Sequence, residues 1–172
     1  ELMKRVDLVI ATGGRPMVKA AYSSGTPAYG SGAGNATMIY DETTNIDEAT
    51  YNTMLSKTSD YGSGCSADGN IIIYDKIYDD VLKGLEKHGG YLANAEEREM
   101  LKKVMWDEEG HRLSDTVAIA PQKLAEAAGF TIPADRKFIV VEGDGIGKEY
   151  PFSGEKLTTL LATHKYSGEF EN

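Results

Sequence analysis

The sequence predicts an α/β fold, a mostly parallel sheet flanked by helices. Three observations lead there. Apolar runs of strand length, such as residues 71–73 and 138–141, recur along the 172-residue chain. Stretches with helical spacing and recognisable stop signals separate them. Strands that alternate with helices form parallel sheets covered by those helices. A hydrophobic content of 41% is enough for an ordinary core.

In chain order, residues 6–11 (VDLVIA) read as a short buried strand. The turn Thr12-Gly13-Gly14 follows, then a helix over 17–24 stopped by Gly25. Residues 27–29 suggest another short strand, 31–35 (SGAGN) a small-residue loop, and 37–40 a strand. Residues 46–61 carry helical spacing behind Asn45 as N-cap. The loop 62–69 holds the one cysteine. Residues 70–74 (NIIIY) are a strand, and 76–88 a helix ended by Gly89-Gly90. Residues 95–106 are a helix capped by Asn94. Strands are expected at 117–120, 137–141 and 157–164, with a helix over 121–128 closed by Gly129. Trp106 and the methionines sit at helical spacing and read as core. The segment 143–147 (GDGIG) follows a strand, but Pro151 and Gly154 argue against the helix that a dinucleotide fingerprint needs, so it reads as a turn.

The net charge is -9. An acidic surface repels phosphate backbones, and the basic residues are scattered, so no nucleic-acid partner is expected. No apolar run approaches the roughly 20 residues of a membrane span, and no membrane partner is expected. A single cysteine gives no disulfide framework, and the composition points to a cytoplasmic protein. His88, His111 and His164 lack metal-ligand spacing, so no metal site is expected. The first strand, turn and helix look like the last piece of an upstream domain. Both ends read as those of a piece of a longer chain.

Cys65 lies in Gly62-Ser63-Gly64-Cys65-Ser66-Ala67-Asp68-Gly69. Small neighbours would let a substrate approach sulfur, and loop N–H groups could meet a developing oxyanion. Attack requires the thiolate. On the residues alone, a small buried hydrophobe is the competing reading, because no His or Asp nearby completes a dyad.

The segment 56–70 resembles the catalytic-cysteine segment of the aldehyde dehydrogenase superfamily, and its CoA-acylating branch in particular. Residues 11–35 (ATGGRPMVKAAYSSGTPAYGSGAGN) resemble the same branch almost continuously. The resemblance runs along the whole chain. It implies the catalytic domain of such an enzyme over 31–172, incomplete at its C-terminus, with residues 1–30 the end of the dinucleotide-binding domain. It implies Cys65 as the nucleophile toward an aldehyde, hydride passing to NAD or NADP, and coenzyme A accepting the acyl group. By the same resemblance the backbone N–H of Cys65 serves the oxyanion hole. Gly13 and Gly14 lie beside the cofactor, Glu155 binds the nicotinamide ribose and Leu157 sits beside the ring. Many relatives carry an aromatic residue at that last position. The full-length enzyme would be a homo-oligomer.

Hydrolytic relatives use a glutamate as base toward the deacylating water. Ser31 stands where that glutamate would be, and a hydroxyl cannot collect a proton as a carboxylate does. The thioacyl enzyme would then wait for CoA. Segments 62–70, 110–112 and 129–142 look most like sulfoacetaldehyde dehydrogenases. A sulfonate prefers a positive pocket, and Arg15, Arg112 and Arg136 are the arginines considered for it. Two other readings stay open: a non-catalytic domain, and a hydrolytic enzyme with its base elsewhere.

Overall fold

The computed structural model describes residues 1–168. The chain forms two compact units, Glu1–Gly34 and a second from Asn35 on.

In the first unit, a 3-10 turn at Leu2–Arg5 precedes β1 (Val9–Thr12), α1 (Arg15–Tyr22) and β2 (Ala28–Ser31). β1 and β2 pair in parallel, Val9 opposite Ala28. The unit is therefore a whole β–α–β crossover, where the sequence had suggested part of one. Strand β1 starts at Val9 rather than at residue 6, since Val6 and Asp7 form a bend. Val9, Ala11 and Ala21 make its small core. Gly30 allows β2 to lie under α1, because a Cβ there would stand 2.6 Å from Val18.

The second unit holds β3 (Thr37–Tyr40), α2 (Ile46–Thr58), β4 (Asn70–Tyr74), α3 (Tyr78–Lys87), β5 (Gly90–Leu92), α4 (Ala95–Met105), α5 (Pro121–Ala128), β6 (Phe138–Glu142) and β7 (Leu160–Tyr166). All five strands are parallel, in the order β3-β4-β7-β6-β5. Central parallel strands are buried on both faces and so need continuous apolar runs. Successive side chains point to opposite faces. Phe138, Val140 and Leu161 accordingly join one core with Met54, Tyr78, Val81 and Leu85 from α2 and α3. Ile139, Val141, Leu160 and Ala162 join the other with Leu101, Met105, Leu124 and Ala125 from α4 and α5.

Local signals explain several boundaries. The side chain of Asn45 accepts from Glu48 N at the start of α2. Asn94 and Glu97 form a complete capping box on α4. α5 begins at Pro121 and ends at Gly129 with φ 95°.

Other expectations are corrected. Residues 117–120 are not a strand. Ala118 has φ 54° and donates its N–H to Leu157 O, not to a neighbouring strand. α2 stops at Thr58, because Asp60 and Tyr61 turn left-handed. A 3-10 turn at Asp75–Ile77 precedes α3. β7 starts at Leu160, since Leu157 has φ 50°. β5 went unread behind its glycine pair. Trp106, Met54 and Met105 are core, but Met17 and Met38 are exposed. Residues 143–147 form no helix. No helix among the described residues is long and apolar enough to cross a membrane.

Candidate active site

The cysteine loop joins α2 to β4. Thr58 closes α2 by donating Oγ1 back to Met54 O at 2.8 Å. Asp60, Tyr61 and Gly62 then all adopt positive φ. Two successive non-glycine residues in that region are costly, and such strain tends to gather at functional sites. Ala67 N donates to Gly64 O at 3.0 Å, so Cys65 and Ser66 sit at the tip of a tight turn. Cys65 is exposed, which overturns the buried-hydrophobe reading. Its own N–H makes no hydrogen bond within the described chain.

Asp68 clips the loop back onto α2. Its carboxylate accepts from Thr53 Oγ1 at 3.0 Å and Ser56 Oγ at 3.1 Å. Gly69 N and Asn70 N both donate to Ala36 O, tying the loop to the start of β3.

The facing wall is the segment before β7. Cys65, Glu155 and Leu157 line one narrow cleft with Lys57, Lys156, Gly62 and Gly64. Its enclosed volume of ≈ 10 Å³ is room for about one water. Asn35 and Ala36 precede β3, Gly69 precedes β4 and Leu157 precedes β7, and these strands are sheet neighbours. The cleft therefore opens at the amino ends of three adjacent parallel strands. Thr158 O packs against Gly62, where any Cβ would stand only 2.5 Å away.

Lys156 is 1% exposed. Its Nζ donates to Phe152 O at 2.6 Å, Gly154 O at 2.8 Å and Asn70 Oδ1 at 3.1 Å. Asn70 Nδ2 in turn donates to Asn35 Oδ1 and Ser153 O. Burial pushes the Lys156 pKa well below the lysine range, with Lys57 and Arg112 adding repulsion. The hydrogen bonds argue the other way, because three oxygen acceptors require the three protons of an ammonium. The geometry favours the ammonium. Lys57 is also 1% exposed. Burial pushes its pKa down to about 8, with the Asp68 carboxylate opposing. Among the described residues its Nζ closes no hydrogen bond or ion pair.

Sequence reading missed both lysines. It named the arginines instead, and the structure uses those elsewhere. Arg112 donates to Lys156 O, Met105 O, Leu113 O and Thr116, and its guanidinium lies 5.7 Å from the Trp106 ring centre. Burial brings its pKa down to about 10. Arg136 holds Glu86 O and Gly90 O. Arg15 is exposed at the start of α1, in the first unit.

Gly13 and Gly14 also belong to the first unit. Gly14 caps α1 and Gly13 has φ 149°. At the start of that helix Pro16 carries no N–H and Met17 N donates to Gly14 O at 3.0 Å, so a ligand would meet mainly the glycine backbone there. Ser31 ends β2, and its carbonyl accepts from Gly13 N at 3.1 Å. Among the described residues no three His, Cys, Asp or Glu side chains are grouped to hold a metal ion.

No family model matches the chain. It is 40% identical to a sulfoacetaldehyde dehydrogenase of Acholeplasma sp, over 99% of this chain and 36% of that protein. An acetylating aldehyde dehydrogenase from Geobacillus thermoglucosidasius superposes with TM-score 0.92 at 41% identity, over 96% of this chain and 37% of that one. A Rhodopseudomonas palustris propionaldehyde dehydrogenase, solved with bound CoA and an acylated cysteine, superposes with TM-score 0.87 at 27% identity, over 96% of this chain and 38% of that one. The chain thus spans about a third of the length of these relatives.

Proposed function

We propose, from the premise that this chain belongs to the acylating aldehyde dehydrogenase family over the third of those enzymes that it spans, that Cys65 is the nucleophile of a CoA-acylating aldehyde oxidation. The observation that carries the reading is the placement of Cys65. It is exposed at the tip of a braced turn, in one cleft with Glu155 and Leu157.

In this reading the Cys65 sulfur attacks the aldehyde carbon to form a thiohemiacetal. The N–H of Cys65, which has no partner within the described chain, faces the developing oxyanion. A bound nicotinamide, NAD or NADP, supplies the hydride acceptor. Glu155 would hold its ribose and Leu157 would pack beside its ring. The glycine turn at Gly13 and Gly14 would let the cofactor come close to the backbone. Residues 1–30 would be the end of the cofactor domain. The thioacyl enzyme then passes its acyl group to the CoA thiol. Ser31 in place of a carboxylate base disfavours water as the competing acceptor. Sulfoacetaldehyde is the proposed aldehyde. Lys156, held as an ammonium in the cleft, replaces the arginines as the group that would favour an anionic substrate.

The test runs acyl transfer backward and needs no nicotinamide. The chain is incubated with acetyl-CoA and, separately, sulfoacetyl-CoA, and its intact mass is measured. An acyl adduct that maps to Cys65 and disappears in Cys65→Ala is expected. No adduct, with sluggish alkylation of Cys65 by iodoacetamide, would favour an inert domain instead.

A further inference from the structure

If Cys65 is the nucleophile, as proposed above, its thiol proton must go somewhere. Ser31 offers no carboxylate base. A thiol has a reference pKa of about 8.5, and an ordinary carboxylate is a weaker base than its thiolate by about 4 units. An efficient proton acceptor is instead matched to the group it serves.

Four observations meet at Lys57. It is 1% exposed. Its Nζ has no acceptor among the described residues. It lines the cleft that Cys65 lines, and that cleft has room for about one water. Finally, a second buried cation, Lys156, lines the same cleft, and a neighbouring cation is a recognised way to make a lysine basic only near neutral pH. Lys156 cannot take the role itself, because its three protons are committed to Asn70, Phe152 and Gly154.

We infer that Lys57 is the proton acceptor for the Cys65 thiol, exchanging the proton through the single water that their shared cleft can hold. Lys57 enters as the neutral amine. The S–H bond of Cys65 breaks, and its proton passes through the water to Nζ. The sulfur electron pair forms the C–S bond, and the carbonyl π pair moves onto oxygen. In transfer from an acyl-CoA, the oxyanion re-forms the carbonyl as the C–S bond to CoA breaks. The leaving thiolate then takes the proton back from the Lys57 ammonium. Lys57 ends as it began, and no oxidant is needed.

The charged groups facing Lys57 set the balance. Asp68 favours the ammonium, while burial favours the amine that can accept. Lys156, with Arg112 behind it, adds positive charge across the cleft, and Glu155 lines the same space.

Two measurements test the inference on the chain itself. The first is the rate of Cys65 alkylation by iodoacetamide against pH. At pH 7, Lys57→Met should react about tenfold more slowly than wild type or worse, with the two rates converging near pH 10, where hydroxide removes the proton. Equal rates at pH 7 would overturn the inference. So would full rescue by Lys57→Arg, whose guanidinium cannot take a proton. The second measurement needs no change at Lys57. Its titration, followed by the 13Cε shift, should move to lower pH in Cys65→Ala, which removes the anionic partner of the ammonium. An unmoved titration would overturn the inference. Acetyl-CoA labelling reports separately on the nucleophile. Labelling of Cys65 that is equal in wild type and Lys57→Met leaves the proposed function standing and removes Lys57 from it.

Discussion

Gly62 is where the cysteine loop meets the facing wall, so Gly62→Ala probes how tightly the cleft is set. Two costs add. Gly62 has φ 66°, and an L-residue held there loses about 1–2 kcal/mol. A Cβ would stand 2.5 Å from Thr158 O, 3.0 Å from its carbonyl carbon and 3.1 Å from Lys57 Nζ. The first two atoms are backbone, so no rotamer change relieves the clash. The segment before β7 must move, as in overpacked cores, for about 1–3 kcal/mol more. The expected loss is about 2–5 kcal/mol, a large part of the stability of a small domain. Equilibrium urea unfolding with linear extrapolation measures it. Gly64→Ala is the internal control. Its Cβ would meet nothing closer than Ser66 Oγ at 3.9 Å, and it should cost less than about 1 kcal/mol. If Gly62→Ala also lost less than that, the loop and the wall would not be in fixed contact, and the braced cleft would be wrong.

Three further predictions follow from the same geometry. Lys57 has a folded pKa of about 8 against about 10.4 in an unfolded chain. Between these values the unfolded state binds more protons, so stability rises with pH. The burial cost is fully present below about pH 8 and gone above about pH 10.4, a span of up to about 3 kcal/mol. Urea unfolding from about pH 7 to 10.5 should show this rise in wild type relative to Lys57→Met; a constant difference between the two would contradict it. Lys156→Met takes the donor from two buried acceptors and one part-buried acceptor and should cost about 2–5 kcal/mol. Unchanged or higher stability would show that relief of the buried charge outweighs them. Asn94→Ala removes the side-chain oxygen that accepts from Glu96 N and Glu97 N, while Asn94 N can still donate to Glu97; it should lower stability by about 1 kcal/mol in the same assay, with Cys65 alkylation unchanged, and a slower alkylation would mean that α4 reaches the cleft.

The elements that could be read from sequence are those specified by local chemistry. Asn94 and Glu97 announce α4, Pro121 and Gly129 bracket α5, and the NIIIY run needs both faces of a parallel sheet covered. What failed was set at a distance. Residues 117–120 are apolar enough for a strand, but Ala118 bonds to Leu157, 39 positions away. β5 is three residues long and exists through its pairing with β6. Met38 looked like core, but its strand is the sheet edge. At the site, small neighbours around Cys65 did signal an open approach. The burial of Lys57 and Lys156 carried no such signal. One resembles any cation in the last turn of a helix, and the other lies unremarked between Glu155 and Leu157. Only the fold shows that both side chains turn inward to the cleft.

Architecture alone would not have located that cleft either. Open parallel sheets usually bind ligands beyond the carboxyl ends of their strands, and this cleft lies at the amino ends of β3, β4 and β7. The connecting segments therefore have to build it. They do so with backbone that is unfavourable by itself: Asp60 and Tyr61 leading into one wall at Gly62, Leu157 on the other, and Ala118 bonded behind it, all with positive φ. Each such residue costs about 1–3 kcal/mol unless its surroundings fix it. The surroundings here are specific. Asp68 holds the cysteine loop to α2, Ala36 holds its end to β3, and Lys156 binds Asn70 to the turn at Pro151–Ser153. Lys57 lies within this frame but closes no hydrogen bond in it; its Nζ faces the cleft, and the Asp68 carboxylate offsets only part of the cost of its burial.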